Sequence, residues 1–217
     1  MQLKQRVKLA VGRIKQWTGP ATKLQPVGSY ADYLKTQRAG YEAKRHTVFA
    51  RAENITAIAE HATRRNPVRT VLCHGTRNGA EQRFFRDALG GDITVLGTEI
   101  GTGAAQYPDT IEWDFHDMKP EWAGAWDLIY SNSWDHAADP QRAFTSWASC
   151  LAPKGLLVLE HSEHHTVQHV RDLDPFGASF SGLVAFANET LRPSGRRVID
   201  TFRLPYHLND QHAVVIG

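Results

Sequence analysis

The feature that most constrains this chain is a series of five short apolar runs that alternate with helix-like segments. The runs are Val71–Cys73, Ile93–Leu96, Thr110–Trp113, Asp127–Tyr130 and Gly155–Glu160. Their apolar residues are largely continuous rather than alternating with polar ones, which is typical of strands buried on both faces. Because strands that alternate with helices build a parallel sheet with right-handed crossovers, we predict an α/β fold.

Three stretches outside these runs have the helical period. Arg77–Leu89 is followed by two glycines, a common helix stop, and Pro140–Leu151 places its large apolar side chains on one face. A longer helical stretch, Ser29–Arg65, is expected to be interrupted at Gly40. It ends before Pro67, because the residue that precedes a proline leaves the helical region.

The chain ends in two further strands, Arg197–Leu204 and His212–Ile216, whose short connection indicates a hairpin. We therefore predict a three-layer α/β sandwich with a mostly parallel seven-stranded sheet and an antiparallel C-terminal strand. Residues 1–65 are predicted to form a helical N-terminal extension or lid, and residues 66–217 to form the main domain.

Composition narrows the class of protein. The 217 residues are 41% hydrophobic and 22% charged, which is ordinary for a globular chain and argues against disorder. No apolar run approaches the roughly 18 residues that a transmembrane helix needs. Two cysteines, Cys73 and Cys150, are too few for a disulfide framework or a cysteine zinc site, so we predict a reducing, cytoplasmic compartment.

The formal net charge of +2 is unevenly distributed. Met1–Lys23 carries six basic residues and no acidic one, which leaves 19 basic and 23 acidic residues in the rest. This arm is amphipathic at helical spacing and stops at Gly19-Pro20. It is either a helix packed on the body or a contact for an anionic surface or a partner. The mildly acidic body argues against nucleic-acid binding.

Polar or flexible residues follow each of the five predicted strands. Since ligands of an open parallel sheet bind beyond the carboxyl ends of its strands, these segments are expected to line one site. They are His74–Gly79, Glu99, Asp114-Phe115, Ser131–Ser133 and Glu160–His165. Glycines allow a backbone to approach a ligand, and a carboxylate after the second strand suits the hydroxyls of a ribose.

These segments resemble the motifs of class I S-adenosylmethionine-dependent methyltransferases, a family with a Rossmann-like fold. The similarity covers about two-thirds of the chain. The matching stretches are VLCHGTRNG (Val71–Gly79), VLGTEI (Val95–Ile100), EWDFHD (Glu112–Asp117), WDLIYSNSWDHAADP (Trp126–Pro140) and LAPKGLLVLEHS (Leu151–Ser162). The resemblance implies S-adenosylmethionine as the cofactor, held by His74, Gly75, Thr76, Arg77, Gly79, Glu99, Ile100, Asp114, Phe115, Ser131 and Asn132.

Two positions depart from the pattern of the family. Cys73 stands where an acidic residue is common, and Arg77 stands where a second glycine is common. We expect the Arg77 guanidinium to pair with the carboxylate of the cofactor rather than to block the site. Glu81 is expected to form a capping pair with Asn78 at the start of the helix.

A general base for the acceptor is predicted among the histidines, at His136 or His161, because histidine titrates near neutral pH. An alternative function for His136 is to order its loop. The carboxylates and histidines of Glu160–His165, together with Asp135 and Asp139, also offer mixed nitrogen and oxygen ligands for a divalent ion. Their spacing matches no closed metal motif, so we predict no metal site. Trp134 is a candidate for stacking on the adenosine.

The predicted function is methyl transfer to an oxygen or nitrogen of a small-molecule acceptor. The alternatives are a catalytically degenerate binding or partner protein, and a nicotinamide-dependent oxidoreductase. A homo-oligomer is compatible with the sequence. The Gly- and Ser-rich segment Asp174–Gly182 is either an acceptor lid or a turn that begins the helix through Ala187.

Overall fold

A seven-stranded sheet forms the centre of the computed structural model, which describes residues 21–206 and 208–217. The predicted helix of the basic arm lies outside the described residues. The strands, in chain order, are β1 (Thr22–Leu24), β2 (Thr70–His74), β3 (Thr94–Glu99), β4 (Thr110–Glu112), β5 (Trp126–Ser131), β6 (Leu151–His161), β7 (Phe176–Ala178), β8 (Val198–Arg203) and β9 (His212–Ile216).

The order of strands in the sheet is β4-β3-β2-β5-β6-β9-β8. The first five strands in this order run parallel to one another, whereas β9 pairs antiparallel with both β6 and β8. The predicted α/β fold, seven-stranded sheet and antiparallel last strand are therefore confirmed. β1 and β7 form a separate antiparallel pair.

Helices cover both faces of the sheet. Those of the described residues are α1 (Tyr30–Lys44), α2 (Ala52–Arg65), α3 (Ala80–Leu89), α4 (Pro140–Cys150) and α5 (Phe180–Leu191). None of them is long and apolar enough to cross a membrane. Ser179 caps the start of α5 by accepting from the backbone N–H of Gly182, so the turn-and-helix interpretation of this segment is correct.

The continuous apolar runs are explained by burial on both faces of the sheet. Within β2, Val71 packs in one hydrophobic core and Leu72 in the other. The same division separates Val158 from Leu157 in β6. All four side chains are almost inaccessible to solvent, so neither face of these strands has room for a polar residue.

The predicted break at Gly40 is wrong, because α1 runs through it and ends at Lys44. A Cβ at Gly40 would lie 2.4 Å from Cδ1 of Leu173, so this glycine permits close packing rather than a helix stop. The break between α1 and α2 lies at residues 45–51. The boundary at residues 65 and 66 stays a prediction, although α2 packs Ile55 and Ile58 into the core beside β2.

Helix α3 begins at Ala80 instead of Arg77 because the preceding backbone is left-handed at Arg77 (φ 52°) and Gly79 (φ 75°). The predicted capping pair is wrong, since Gly79 is the N-terminal cap and no side chain caps this end. Asn78 instead donates its amide to the carbonyl oxygens of Arg45 and Thr47. It thereby ties the start of α3 to the α1–α2 connection.

Candidate functional site

A pocket lies beyond the carboxyl ends of β2 to β5, between the sheet and α1. Its sheet side comes from residues that follow four successive strands. They are Gly75, Arg77, Glu99, Ile100, Asp114, Phe115, Ser133 and His136. The location is the one expected for a ligand site in an open parallel sheet.

Six of the predicted cofactor residues line this pocket: Gly75, Arg77, Glu99, Ile100, Asp114 and Phe115. The other five lie behind the lining. The imidazole of His74 stacks on Trp147 at 4.9 Å between ring centroids, and burial lowers its pKa to about 3. Thr76 accepts from the amide of Gln82. Gly79 is the cap of α3.

Ser131 and Asn132 support the loop after β5 rather than facing the pocket. The Ser131 hydroxyl donates to the carbonyl of His74 and accepts from the backbone N–H of Ser133. The Asn132 carbonyl lies 3.1 Å from Nε2 of His165. It is Ser133, the next residue, that reaches the pocket.

Gly75 provides the close approach that a glycine-rich turn is expected to provide. Its φ of 74° is left-handed, and a Cβ there would lie 2.6 Å from Cβ of Ser133. Any other residue would therefore combine backbone strain with a clash across the pocket floor. The turn leaves backbone, rather than side chain, exposed to a ligand.

Glu99 is held by three backbone donors at the end of β3. Its Oε2 accepts from the N–H of Arg77, and its Oε1 accepts from the N–H groups of Ile100 and Gly101, at 2.8 to 3.1 Å. Burial raises the pKa of this carboxyl, while the three hydrogen bonds act in the opposite direction. The carboxylate has a fixed orientation in the pocket wall.

Arg77 lines the pocket, but its guanidinium lies 4.6 Å from the ring centroid of Phe49, in the α1–α2 connection. One of its nitrogens is 3.5 Å from the carbonyl of Thr47. The Arg77 side chain therefore extends from the turn after β2 to the α1–α2 connection. Its predicted pairing with the cofactor carboxylate stays a prediction.

Asp114, the predicted acceptor for adenine, already has partners. Its Oδ2 accepts from the hydroxyl of Tyr30, at the start of α1. Its Oδ1 accepts from the backbone N–H of His116 and lies 2.7 Å from Nδ1 of the same residue. The segment before residue 66 therefore contacts the wall of the pocket directly.

The sequence interpretation did not include the residues of α1 that line the pocket. Tyr33, Gln37 and Tyr41 occupy one face at steps of four residues and are buried, and Gly40 and Lys44 complete the lining from this helix. The sequence does show a four-residue spacing of aromatic and amide side chains in this segment. The same spacing occurs in any helix that packs on a protein core, so it did not indicate a pocket.

The two candidate bases are placed differently. His136 lines the pocket, with Nδ1 3.0 Å from Oε1 of Gln37 and Nε2 3.4 Å from Oδ1 of Asp174. His161 is buried behind the lining, where its Nε2 is 2.9 Å from the carbonyl of Ala178. Burial lowers the pKa of His161 to about 4.

Trp134 is fully buried and does not line the pocket, so the predicted stacking on adenosine is wrong. Its indole N–H donates to the carbonyl of Glu160, and its ring stacks on His161. A large aromatic residue directly after a buried strand completes the core here. Neither the spacing nor the residue type distinguished that position from one in the pocket wall.

Comparisons with solved structures identify related folds. The chain is similar to a 1,6-didemethyltoxoflavin N1-methyltransferase from Burkholderia thailandensis, whose structure contains its acceptor and S-adenosylhomocysteine. The TM-score is 0.63 at 15% identity, over 88% of this chain and 90% of that one. An S-adenosylmethionine-dependent methyltransferase from Aquifex aeolicus gives 0.56 at 12% identity, over 80% and 96%.

The chain has the class I methyltransferase fold. The resemblance predicted from the motifs is thus confirmed in the arrangement of the whole sheet. The same fold also includes the cyclase SpnF, with a TM-score of 0.51 at 18% identity over 69% of this chain and 59% of that one. No protein-family model and no curated protein sequence matched the chain.

Proposed function

We propose that this chain binds S-adenosylmethionine beneath α1 and transfers the methyl group to an oxygen or nitrogen of a small-molecule acceptor. The observation that carries the proposal is the convergence of three features in one pocket. They are the close-approach turn at Gly75, the fixed carboxylate of Glu99 and the carboxylate of Asp114. Each follows a different strand of the methyltransferase fold, in the order that the motifs predicted.

These residues fit the cofactor by their chemistry. Glu99 accepts three backbone hydrogen bonds, which fix its orientation and leave one lone pair, on Oε2, for a ribose hydroxyl. Asp114 is an acceptor for the adenine amino group, and Gly75 offers backbone where a side chain would collide with Ser133. The cofactor, when bound, supplies an electrophilic methyl group. The main task of the protein is then alignment, which can contribute about 7–11 kcal/mol.

The acceptor side is formed by α1 and the segment before β7. Tyr33 and Gln37 of α1, together with Leu173, line the pocket near His136 and cover it opposite the sheet. This cover favours a small acceptor over a polymer, and we propose that residues 1–65 act as a lid on a cofactor domain of residues 66–217. Among the two predicted bases, His136 is the one that lines the pocket.

A second candidate function is cofactor binding without methyl transfer. A cyclase has the same fold, so the fold alone does not define the reaction. The hydrogen bond from Tyr30 to Asp114 supports this candidate, because it occupies an oxygen that is proposed to contact adenine. A protein of this kind would bind the nucleoside with no turnover.

Calorimetric titration with S-adenosylhomocysteine and with NAD tests the proposal. We expect heat from the first ligand and none from the second. Glu99→Gln should weaken S-adenosylhomocysteine binding by about 10- to 150-fold, because one charge-assisted hydrogen bond is worth roughly 1.5–3 kcal/mol. Glu121→Gln, an exposed matched control, should leave the affinity unchanged. No heat with S-adenosylhomocysteine would refute both candidate functions.

A further inference from the structure

Three side chains with metal-ligating atoms converge beside the pocket. Asp135 and His136 belong to the turn after β5, and Asp174 lies two residues before the start of β7. One ligand atom from each lies within 4.8 Å of the other two. Asp135 and Asp174 are 7% and 9% exposed, so two carboxylates are brought together largely out of water.

Asp135 is the most unusual member of this cluster. Its Oδ1 is buried and receives no hydrogen bond from any residue that the structure describes. A buried carboxylate oxygen without a donor is costly, and natural structures normally supply a donor, an ion or a water molecule. The nearest basic group, Nε2 of His165, is 3.9 Å away.

His165 does not serve as the missing partner. Its Nδ1 accepts from the backbone N–H of Ser162, which places the ring proton on Nε2. That proton is directed to the carbonyl of Asn132 at 3.1 Å.

The hydrogen bonds of His136 leave its Nε2 available to the cluster. The amide of Gln37 is oriented by donating Nε2–H to the carbonyl of Leu173 at 2.7 Å, so its Oε1 faces Nδ1 of His136. The Nδ1 proton is therefore committed to Gln37. Nε2 then faces Oδ1 of Asp174 at 3.4 Å, which brings two electron-pair donors together with nothing between them.

Asp174 is only partly compensated. Arg171 donates Nε–H to Oδ2 of Asp174, which leaves Oδ1 for the cluster. One guanidinium therefore faces two carboxyl groups in the cluster. A divalent cation would satisfy Oδ1 of Asp135 and bridge Nε2 of His136 and Oδ1 of Asp174.

We propose that Asp135, His136 and Asp174 bind a divalent first-row transition-metal cation, such as Mn²⁺ or Co²⁺, at the edge of the pocket. One imidazole nitrogen and two carboxylate oxygens suit these ions better than Mg²⁺, which prefers oxygen ligands alone. The Gln37 amide has the position of the outer hydrogen-bond partner that orients metal-bound histidines. The site excludes His136 as a general base, because its Nε2 lone pair is directed to the metal.

Metal binding is measured on the full chain after chelation and dialysis, by the loss of the free Mn²⁺ electron paramagnetic resonance signal. We expect one bound Mn²⁺ per chain. Asp135→Asn and Asp174→Asn should each weaken binding by at least about tenfold. Asp172→Asn, which removes an exposed carboxylate from the same segment, should leave the affinity unchanged.

Further measurements separate the ligand set from general surface binding. Visible absorption of bound Co²⁺ should change when His136→Ala removes the nitrogen ligand, and circular dichroism should show that each variant keeps its fold. Absence of Mn²⁺ and Co²⁺ binding at millimolar concentration would overturn the proposal, as would equal affinity in the wild type and both carboxylate variants. Displacement of Mn²⁺ by equimolar Mg²⁺ would overturn the preference for a transition metal. None of these readouts depends on methyl transfer.

Discussion

Glu81 is a buried carboxyl whose removal should change the pH dependence of stability. It is the second residue of α3, is 6% exposed, and its Oε2 has no hydrogen-bond partner among the described residues. Burial raises its pKa from 4.5 to about 8. In the folded protein it is therefore neutral at pH values where the unfolded chain carries a charge.

The sign follows from proton binding in the two states. Between pH 4.5 and about 8 the folded state holds a proton on Glu81 that the unfolded state has lost. Stability from this group is fully present below 4.5 and is lost as the pH rises toward 8. At about 1.36 kcal/mol per pH unit, the loss from pH 5 to pH 7 is about 3 kcal/mol.

Glu81→Gln should remove this loss. Glutamine has nearly the same shape and helix propensity and does not ionise. The free energy of unfolding of the variant, relative to wild type, should therefore rise by about 3 kcal/mol between pH 5 and pH 7. The difference between the two proteins isolates Glu81, because all other titrating groups are shared.

The assay is denaturant unfolding followed by tryptophan fluorescence across this pH range. Glu189→Gln, at an exposed position of α5, is the matched control and should show a difference independent of pH. A pH-independent difference for Glu81→Gln as well would refute the reasoning. It would mean that Glu81 is ionised in the folded protein and has a compensating partner.

Three further perturbations test the site and its support. Gly75→Ala should reduce stability by more than Gly91→Ala. Both glycines have positive φ, which costs an alanine about 1–2 kcal/mol, but only the Cβ at position 75 would collide with a neighbouring side chain. Equal losses of stability in denaturant unfolding would exclude the close approach at Gly75. Tyr30→Phe should raise S-adenosylhomocysteine affinity by about three- to tenfold by freeing a predicted adenine acceptor, and calorimetry showing weaker binding would contradict this. Stability should fall as the pH drops below 6.5, because burial lowers the pKa of His74 to about 3 and of His161 to about 4, so the folded state binds fewer protons than the unfolded state. Denaturant unfolding midpoints of the Glu81→Gln variant should show this loss of stability. A midpoint that does not change with pH would disprove it.

The central strands of the sheet were predictable because they are buried on both faces. The run Gly155–Glu160 lies within β6, and the predicted hairpin corresponds to β8 and β9. A strand covered on both faces needs apolar residues without interruption, so its pattern depends only on local sequence. Only the bounds differ, since β6 extends to Leu151 and His161.

The pairing of β1 with β7 was not predictable. Each strand has three residues, and the register joins Thr22 to Ala178 across most of the chain. Three residues contain too little of a two-residue period to indicate a strand. The wrong helix break at Gly40 has a related cause, because the side chain that requires a glycine there, Leu173, is distant in sequence.

The two sides of the pocket differ in how they depend on the sequence. Gly75, Glu99 and Asp114 follow strands, and the parallel sheet brings strand ends together wherever such strands are found. Gln37 and Leu173 meet only because α1 packs on the segment before β7, where the amide of one donates to the carbonyl of the other. Sequence motifs therefore predict the residues of the proposed cofactor side, which follow strands, and do not predict those of the proposed acceptor side.

Under the proposed function, this difference determines where acceptor specificity is encoded. The sheet side would be constrained by the cofactor and is constrained by burial on both faces, so substitutions there should cost binding or stability. Gln37, Leu173 and Asp174 face the pocket or the adjoining cluster from elements that the sheet does not constrain. Gln37 contacts both His136 and Leu173, so one substitution at this position changes the orientation of the histidine and the packing of the cover together. Changes in acceptor choice should therefore arise first from α1 and the segment before β7.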